Sequence, residues 1–101
     1  MNTNPMIATL AIDAVTRAAN QTGISIRLPV NVTFVRTFGK QRQVVLEAIL
    51  LEFVNRYDQD SFVGLVNQQL DQEDLHITHC KVFQPNCGYR GSMMIGITAC
   101  R

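Results

Sequence analysis

The clearest pattern in the chain is a strict alternation of apolar and polar positions over residues 24–34. The apolar positions hold Ile, Leu, Val and Phe, and the residues between them are polar or, at position 29, proline. Because successive side chains of a β-strand point to opposite faces, this period of two predicts a strand with one buried face. Pro29 has no N–H to donate to a neighbouring strand, so the strand lies at a sheet edge or bends there.

Apolar residues at helical spacing precede this strand. Asn4-Pro5 is a typical helix start, and Gly23 is suited to end a helix. Between these two signals, Asp13 and Arg17 stand four residues apart in the order that favours an ion pair on one helix face. The pattern predicts a first helix between residues 4 and 23.

Residues 42–56 favour a second helix, because leucine, alanine and glutamate are good helix formers and Glu52 stands four residues before Arg56. This segment is apolar nearly all round, which predicts burial on two sides, against the sheet and against a partner subunit. A short third helix follows, with cap candidates in residues 58–61 and an apolar face from Phe62 to Leu70.

Two further strands complete the chain, over residues 76–83 and 93–99, and residues 84–91 between them are rich in turn formers. The predicted order is therefore α-β-α-α-β-β. We expect a single α+β domain over residues 1–101, with a three-stranded, mostly antiparallel sheet and helices packed on one face.

Composition places the chain among globular domains, since 47% of its 101 residues are hydrophobic. Its three cysteines are an odd number and do not make a paired disulfide framework. No basic stretch leads into an apolar run at the N-terminus, and the most apolar segment, residues 44–54, is too short to span a bilayer. These features favour a cytoplasmic protein without a membrane role.

Charge is divided into blocks along the chain. Residues 14–46 carry five cations and no acid, whereas residues 47–75 carry seven acids and only Arg56 as a cation. The blocks either pair with each other, in the fold or across a dimer, or form a dipolar surface that recognises a charged partner.

The metal-ligand residue types cluster at His76, His79 and Cys80, followed by Cys87 and Cys100. On a regular strand, His76 and Cys80 point to one face and His79 to the other. The paired C-x-x-C spacing of zinc sites is absent, so we assign no metal and leave a zinc site as an alternative. We find no catalytic set and no phosphate-binding glycine loop, and therefore expect neither an enzyme nor a cofactor.

Two segments resemble the ribbon-helix-helix family of DNA-binding regulators. Residues 24–29 are similar to its opening strand, and Gly39-Lys40-Gln41-Arg42 before Val44 and Val45 is similar to the entry to its second helix. The resemblance covers residues 24–56 and implies a regulator that binds DNA. Arg27 would then read bases and Lys40 and Arg42 would contact phosphates, with Arg36 in the same basic block.

The leading hypothesis is nevertheless a small non-enzymatic regulator, a homodimer that binds another protein as an inhibitor or adaptor. Domains of this size without catalytic motifs are common among regulators of phage and mobile-element type. The homodimer would form through the long strand or the apolar helix. The protein-binding candidates form two groups. Tyr89 and Arg90 in the last loop are of the residue types enriched at binding hot spots. Glu52, Asp58 and Asp60 belong to the acidic block, which suits a basic partner.

Overall fold

The computed structural model describes residues 4–38, 41–86 and 90–99. This part of the chain holds two helices and four strands, in the order α1 (Asn4–Thr22), β1 (Ile26–Phe38), β2 (Gln41–Leu50), α2 (Arg56–Asp71), β3 (Leu75–Phe83) and β4 (Gly91–Ala99). The α+β class is confirmed. The three-stranded sheet and the order α-β-α-α-β-β are wrong, because the segment expected to form a second helix contributes a fourth strand.

The first two elements follow their sequence signals. The helix α1 ends at Thr22, and Gly23 after it adopts φ +76°, a conformation that glycine reaches without steric cost. Asp13 Oδ2 and Arg17 Nε form the predicted ion pair at 3.1 Å. Residues 26–34 of the alternating segment lie in β1, which is an edge strand, one of the two outcomes that Pro29 predicted. The expectation of one buried face is wrong, because a register irregularity between Val32 and Phe34 places these two side chains on different faces of the sheet.

The correction at residues 42–56 has a clear physical reason. The strand β2 lies in the middle of the sheet, where Leu46 on one face is fully buried and Val45 on the other face is only 3% exposed. A strand buried on both faces carries a nearly continuous apolar run instead of an alternation, which in sequence resembles a buried helix. The chain itself covers both faces, so no helix remains here to dock on a partner subunit.

The helix α2 begins earlier than predicted. Its N-cap is Asn55, whose side chain accepts a hydrogen bond of 2.7 Å from the backbone N–H of Asp58. Glu52 precedes the helix, so the expected pair between Glu52 and Arg56 is wrong, and Arg56 lies 3.6 Å from Asp60 instead. The pair Asp13–Arg17 lies within α1 and the pair Arg56–Asp60 lies within α2. Neither ion pair therefore joins the basic block to the acidic block.

The four strands form one antiparallel sheet in the order β1-β2-β4-β3. The chain is thus two successive units, each a helix followed by a hairpin, joined where β2 pairs with β4. Both helices cover the same face of the sheet. The largest side chains of the core come from α1, α2 and the two central strands: Val15, Phe62, Val66, Leu70, Val44, Leu46, Met93, Ile95 and Ile97.

The opposite face of the sheet, which we call the open face, carries no helix among the described residues. Register irregularities interrupt β1 before Asn31 and before Phe34, and interrupt β3 between Ile77 and His79. Such irregularities bend a strand and increase its twist. Side chains of the edge strands therefore lean over the central strands, where Gln43 and Thr98 are buried although no helix covers them.

Candidate functional site

The structure brings several of the predicted protein-binding residues to one end of the sheet. Glu52 follows the end of β2, and Arg90 directly precedes β4. Because Leu50 pairs with Gly91, the chain leaves β2 beside the point where it enters β4. Asp58 and Asp60 lie near the start of α2, and Tyr89 lies outside the described residues.

Exposed apolar side chains surround the same end of the sheet, and sequence reasoning missed them. Phe53, in the connection from β2 to α2, is 70% exposed, and Tyr57, in the first turn of α2, is 78% exposed. Leu28 and Leu51 are exposed as well, and they line one cavity of about 320 Å³ beside the C-terminal part of α1. We call Leu28, Leu51, Phe53 and Tyr57 the connector surface.

Hydrogen bonds hold the backbone of the connection in place. The N–H of Leu51 donates to the carbonyl oxygen of Ser25 at 3.0 Å. The side-chain amide of Gln84, just after β3, accepts from the N–H of Val54 at 3.0 Å and donates to its carbonyl oxygen at 2.6 Å. Since Asn55 also caps α2, the connector surface is fixed by backbone bonds on both sides of Phe53.

The open face carries a second candidate site, which the strand register defines. Phe34, Val45, Gly96 and His79 form one row across the four strands, because each is paired with the next. The neighbouring rows are Arg36–Gln43–Thr98–His76 on one side and, on the other, Asn31–Glu47–Met94–Lys81 and then Arg27–Ile49–Ser92–Phe83.

A groove of about 540 Å³ runs between the two edge strands on this face, lined by Phe34, Arg36, Val45, His79, Lys81, Phe83 and Met94. The guanidinium of Arg36 lies 5.1 Å from the centre of the Phe34 ring, and its Nε donates to Gln43 Oε1 at 2.8 Å. These contacts hold a cation over an aromatic ring at the β1 wall. Lys81 and Phe83, both exposed, form the β3 wall.

The floor of the groove depends on a glycine, Gly96, which has no side chain. A Cβ at Gly96 would overlap the ring of His79 and would lie 2.6 Å from its Nδ1 and 2.8 Å from Thr78 Oγ1. Gly96 therefore lets the His79 ring lie against the sheet. Gln43 Nε2 donates to Thr78 Oγ1 at 3.2 Å, so polar side chains link β2 to β3 across β4.

The nucleic-acid candidates divide between the two faces of the sheet. Arg27 and Arg36 lie on the open face, whereas Arg42 pairs with Thr37 on the opposite side, and Lys40 is outside the described residues. The ribbon-helix-helix resemblance requires a helix after Arg42, but this segment forms the strand β2. Sequence reasoning missed Lys81, because only strand pairing shows that it shares a groove with Arg36.

The irregularity in β3 also changes the arrangement of the metal-ligand residue types. His76 and His79 lie on the open face, where they pair with Thr98 and Gly96 of β4. Cys80, in contrast, packs against the core. The expectation that His76 and Cys80 share a face is therefore wrong. No group of three potential metal ligands occurs among the described residues, while Cys87 and Cys100 lie outside them. Burial raises the pKa of the Cys80 thiol to about 11, against the smaller opposite effect of a hydrogen bond with Gln59.

Comparisons with known proteins give a likeness in structure but none in sequence. No family model matches the chain, and no curated protein gives a significant match. The chain is similar in structure to the type 4 fimbrial biogenesis protein PilO from Pseudomonas aeruginosa, with a TM-score of 0.56 and 10% sequence identity. The likeness covers 98% of this chain and 70% of that chain. No helix in the described part of the chain is long and apolar enough to cross a membrane. At this identity, the likeness to PilO shows the fold alone.

Proposed function

We propose that this protein is a non-enzymatic interaction protein that binds a protein partner through the connector surface. The exposure of four apolar side chains at one end of the sheet carries the proposal: Leu28, Leu51, Phe53 and Tyr57. Grouped exposed apolar side chains mark interaction sites on soluble domains, whereas single ones are ordinary. Aromatic residues and arginine are also enriched at interface hot spots, and Arg90 borders this surface.

The backbone of the connection supports the same proposal. Gln84 and the Asn55 cap already fix the segment that carries Phe53. A surface that is ordered before binding loses little conformational entropy when the partner arrives, which favours affinity. The fold likeness to a biogenesis protein is compatible with a role in assembly, but fold alone does not determine function.

The charges around the connector surface indicate the chemistry of the partner. Residues 51–60 contain Glu52, Asp58 and Asp60, and Arg56 is their only cation. We infer a partner that presents apolar residues beside basic ones, because complementary charges increase the rate and specificity of association.

The experiment compares wild-type protein with a Phe53→Ser/Tyr57→Ser variant in pull-downs from the native host. Proteins captured only by the wild type are identified by mass spectrometry, purified and titrated by calorimetry. We expect the double substitution to weaken binding by about 30-fold or more, the effect of losing one hot-spot residue. A Val35→Ser variant, which removes an exposed apolar side chain elsewhere on β1, is the matched control.

Light scattering of the same variants tests the homodimer. A mass of about twice 11.3 kDa for the wild type, falling to the single mass in the double variant, identifies the partner as a second copy. A dimer that the substitutions leave intact places the contact elsewhere, and the free edge of β1 is then the candidate. A folded double variant that binds the purified partner as tightly as the wild type refutes the proposed function.

A further inference from the structure

Each edge strand of the sheet presents an aromatic side chain and a cation to the open-face groove, two residues apart. On β1 these are Phe34 and Arg36, and on β3 they are Phe83 and Lys81. Phe34 is 40% exposed and Phe83 52% exposed, so both rings are accessible. The connector surface contains none of these residues.

We propose that this groove binds single-stranded nucleic acid. Bases stack on Phe34 and Phe83, and phosphates contact Arg36 and Lys81, with Arg27 extending the cationic path along β1. Grooves that bind single strands combine aromatic platforms with a positively charged track, because every base has a face to stack and every nucleotide has a charge to neutralise.

The charges of the open face favour an anionic occupant over a second copy of this chain. Its rows carry Arg27, Arg36 and Lys81, and the only carboxylate among them is Glu47. A face-to-face dimer with twofold symmetry would bring these like charges together. The excess of cations on this face therefore favours an occupant of opposite charge.

The position of Glu47 favours nucleic acid over an acidic peptide as the occupant of the groove. Glu47 lies in a central row, between Asn31 on β1 and Met94 on β4, where it would repel the carboxylates of an acidic peptide. A carboxylate at this place accepts hydrogen bonds from the exocyclic amino groups of bases, as glutamate does with cytosine. Cations on the edge strands and one carboxylate on a central strand thus match a bound strand with its phosphates outside and its bases inside.

Two contacts prepare the groove before a ligand arrives. Gln43 holds Arg36 over the Phe34 ring through the bond at 2.8 Å. Gly96 lets the ring of His79 rest on the sheet, which keeps the centre of the groove shallow. Side chains that are already positioned lose less freedom on binding.

The test is fluorescence anisotropy with labelled oligonucleotides of about 12 nucleotides, a length within the range of single-strand binding domains. The probes are oligo-dT, oligo-dC, oligo-rU, a duplex of the same length and an oligoglutamate peptide. We expect binding to both deoxy- and ribo-oligonucleotides, with the duplex and the peptide much weaker. Three phosphate contacts predict a slope of log K against log salt of about −2.

Substitutions then locate the site. Phe34→Ala and Phe83→Ala should each weaken oligo-dT binding by about tenfold, and Lys81→Gln should make the salt slope shallower by about 0.7. Arg17→Ala on α1 and Val35→Ala on the other face of β1 are the matched controls. Because Phe34 is the cross-strand neighbour of the buried Val45, its truncation can also affect stability, and Arg36→Gln provides a second variant that removes charge and little volume.

The outcomes divide clearly. Absence of oligonucleotide binding at low salt, or equal binding by the wild type and the Arg36→Gln/Lys81→Gln variant, overturns the proposal. Equal binding of oligoglutamate also overturns it, because the groove is then a general site for acidic chains. Stronger binding of oligo-dC than of oligo-dT, lost in Glu47→Ala, supports the assignment of bases to the central strands.

Discussion

The two faces of one sheet differ in what covers them. On the helix-covered face, side chains of β2 such as Leu46 and Ala48 are fully buried under α1 and α2. On the open face, Val45 and Gln43 of the same strand are also buried, but the long side chains of the edge strands cover them. The first face is packed by whole elements and the second by single residues, so substitutions should affect stability mainly on the first and binding mainly on the second.

The largest effect should come from truncating a side chain on the helix-covered face. We expect Leu46→Ala to lower the free energy of unfolding by about 2–5 kcal/mol, because a fully buried leucine leaves a cavity among tightly packed neighbours. Ile49→Ala, on the open face of the same strand and only half-buried, should cost about 1 kcal/mol. Urea denaturation followed by circular dichroism measures both values. Equal losses would show that the open face is covered as completely as the other face.

Sequence patterns predicted the elements in which one face differs from the other. The helix α1 and the strands β1 and β4 each carry a clear period, β3 was predicted from its β-branched and aromatic residues, and all four are present in the structure. The strand β2 was missed because both of its faces are buried, which removes the alternation that distinguishes a strand from a helix. The wrong number of strands and the wrong order of elements in the prediction both followed from that single error.

The candidate sites were less predictable, since they depend on pairing between distant segments. Arg27 and Arg36 stood out as cations and Glu52 as an acid, but no local pattern connects Arg36 with Lys81. The irregularity between Ile77 and His79 also reverses the alternation in β3, so the face of His79 could not be read from its position. Exposed Phe53 and Tyr57 gave no signal, because a single sequence does not separate exposed from buried aromatic residues.

A smaller effect should follow from filling the floor of the groove. We expect Gly96→Ala to destabilise the fold by about 1–3 kcal/mol, because the new methyl group overlaps His79 and Thr78 and must displace them. Oligonucleotide binding should fall in the same variant. Gly64→Ala is the matched control: a methyl group added to this helical glycine would meet nothing within 4 Å, so alanine should stabilise α2 by about 0.5–1 kcal/mol.

Thermal unfolding of Gly96→Ala and Gly96→Ala/His79→Ala distinguishes overlap with His79 from a general intolerance of β4. Removal of the imidazole should restore part of the lost stability. If the double variant is no more stable than the single variant, the contact with Thr78 or the strand backbone is responsible, and His79 does not define the floor of the groove.

The smallest effect concerns pH and a group on the helix-covered face. Burial raises the pKa of the Cys80 thiol from its ordinary value of 9.0 to about 11, so the folded state keeps this proton to a higher pH than the unfolded state. The stabilising contribution is therefore complete below pH 9 and is lost as the pH rises toward 11. At about pH 10 the expected loss is about 1 kcal/mol.

Urea unfolding of the wild type and Cys80→Ala between about pH 8 and pH 10 measures this loss, because the other titrating groups are common to both proteins. The wild type should lose more stability over this interval, and parallel pH profiles would show that water reaches the thiol from the helix-covered side.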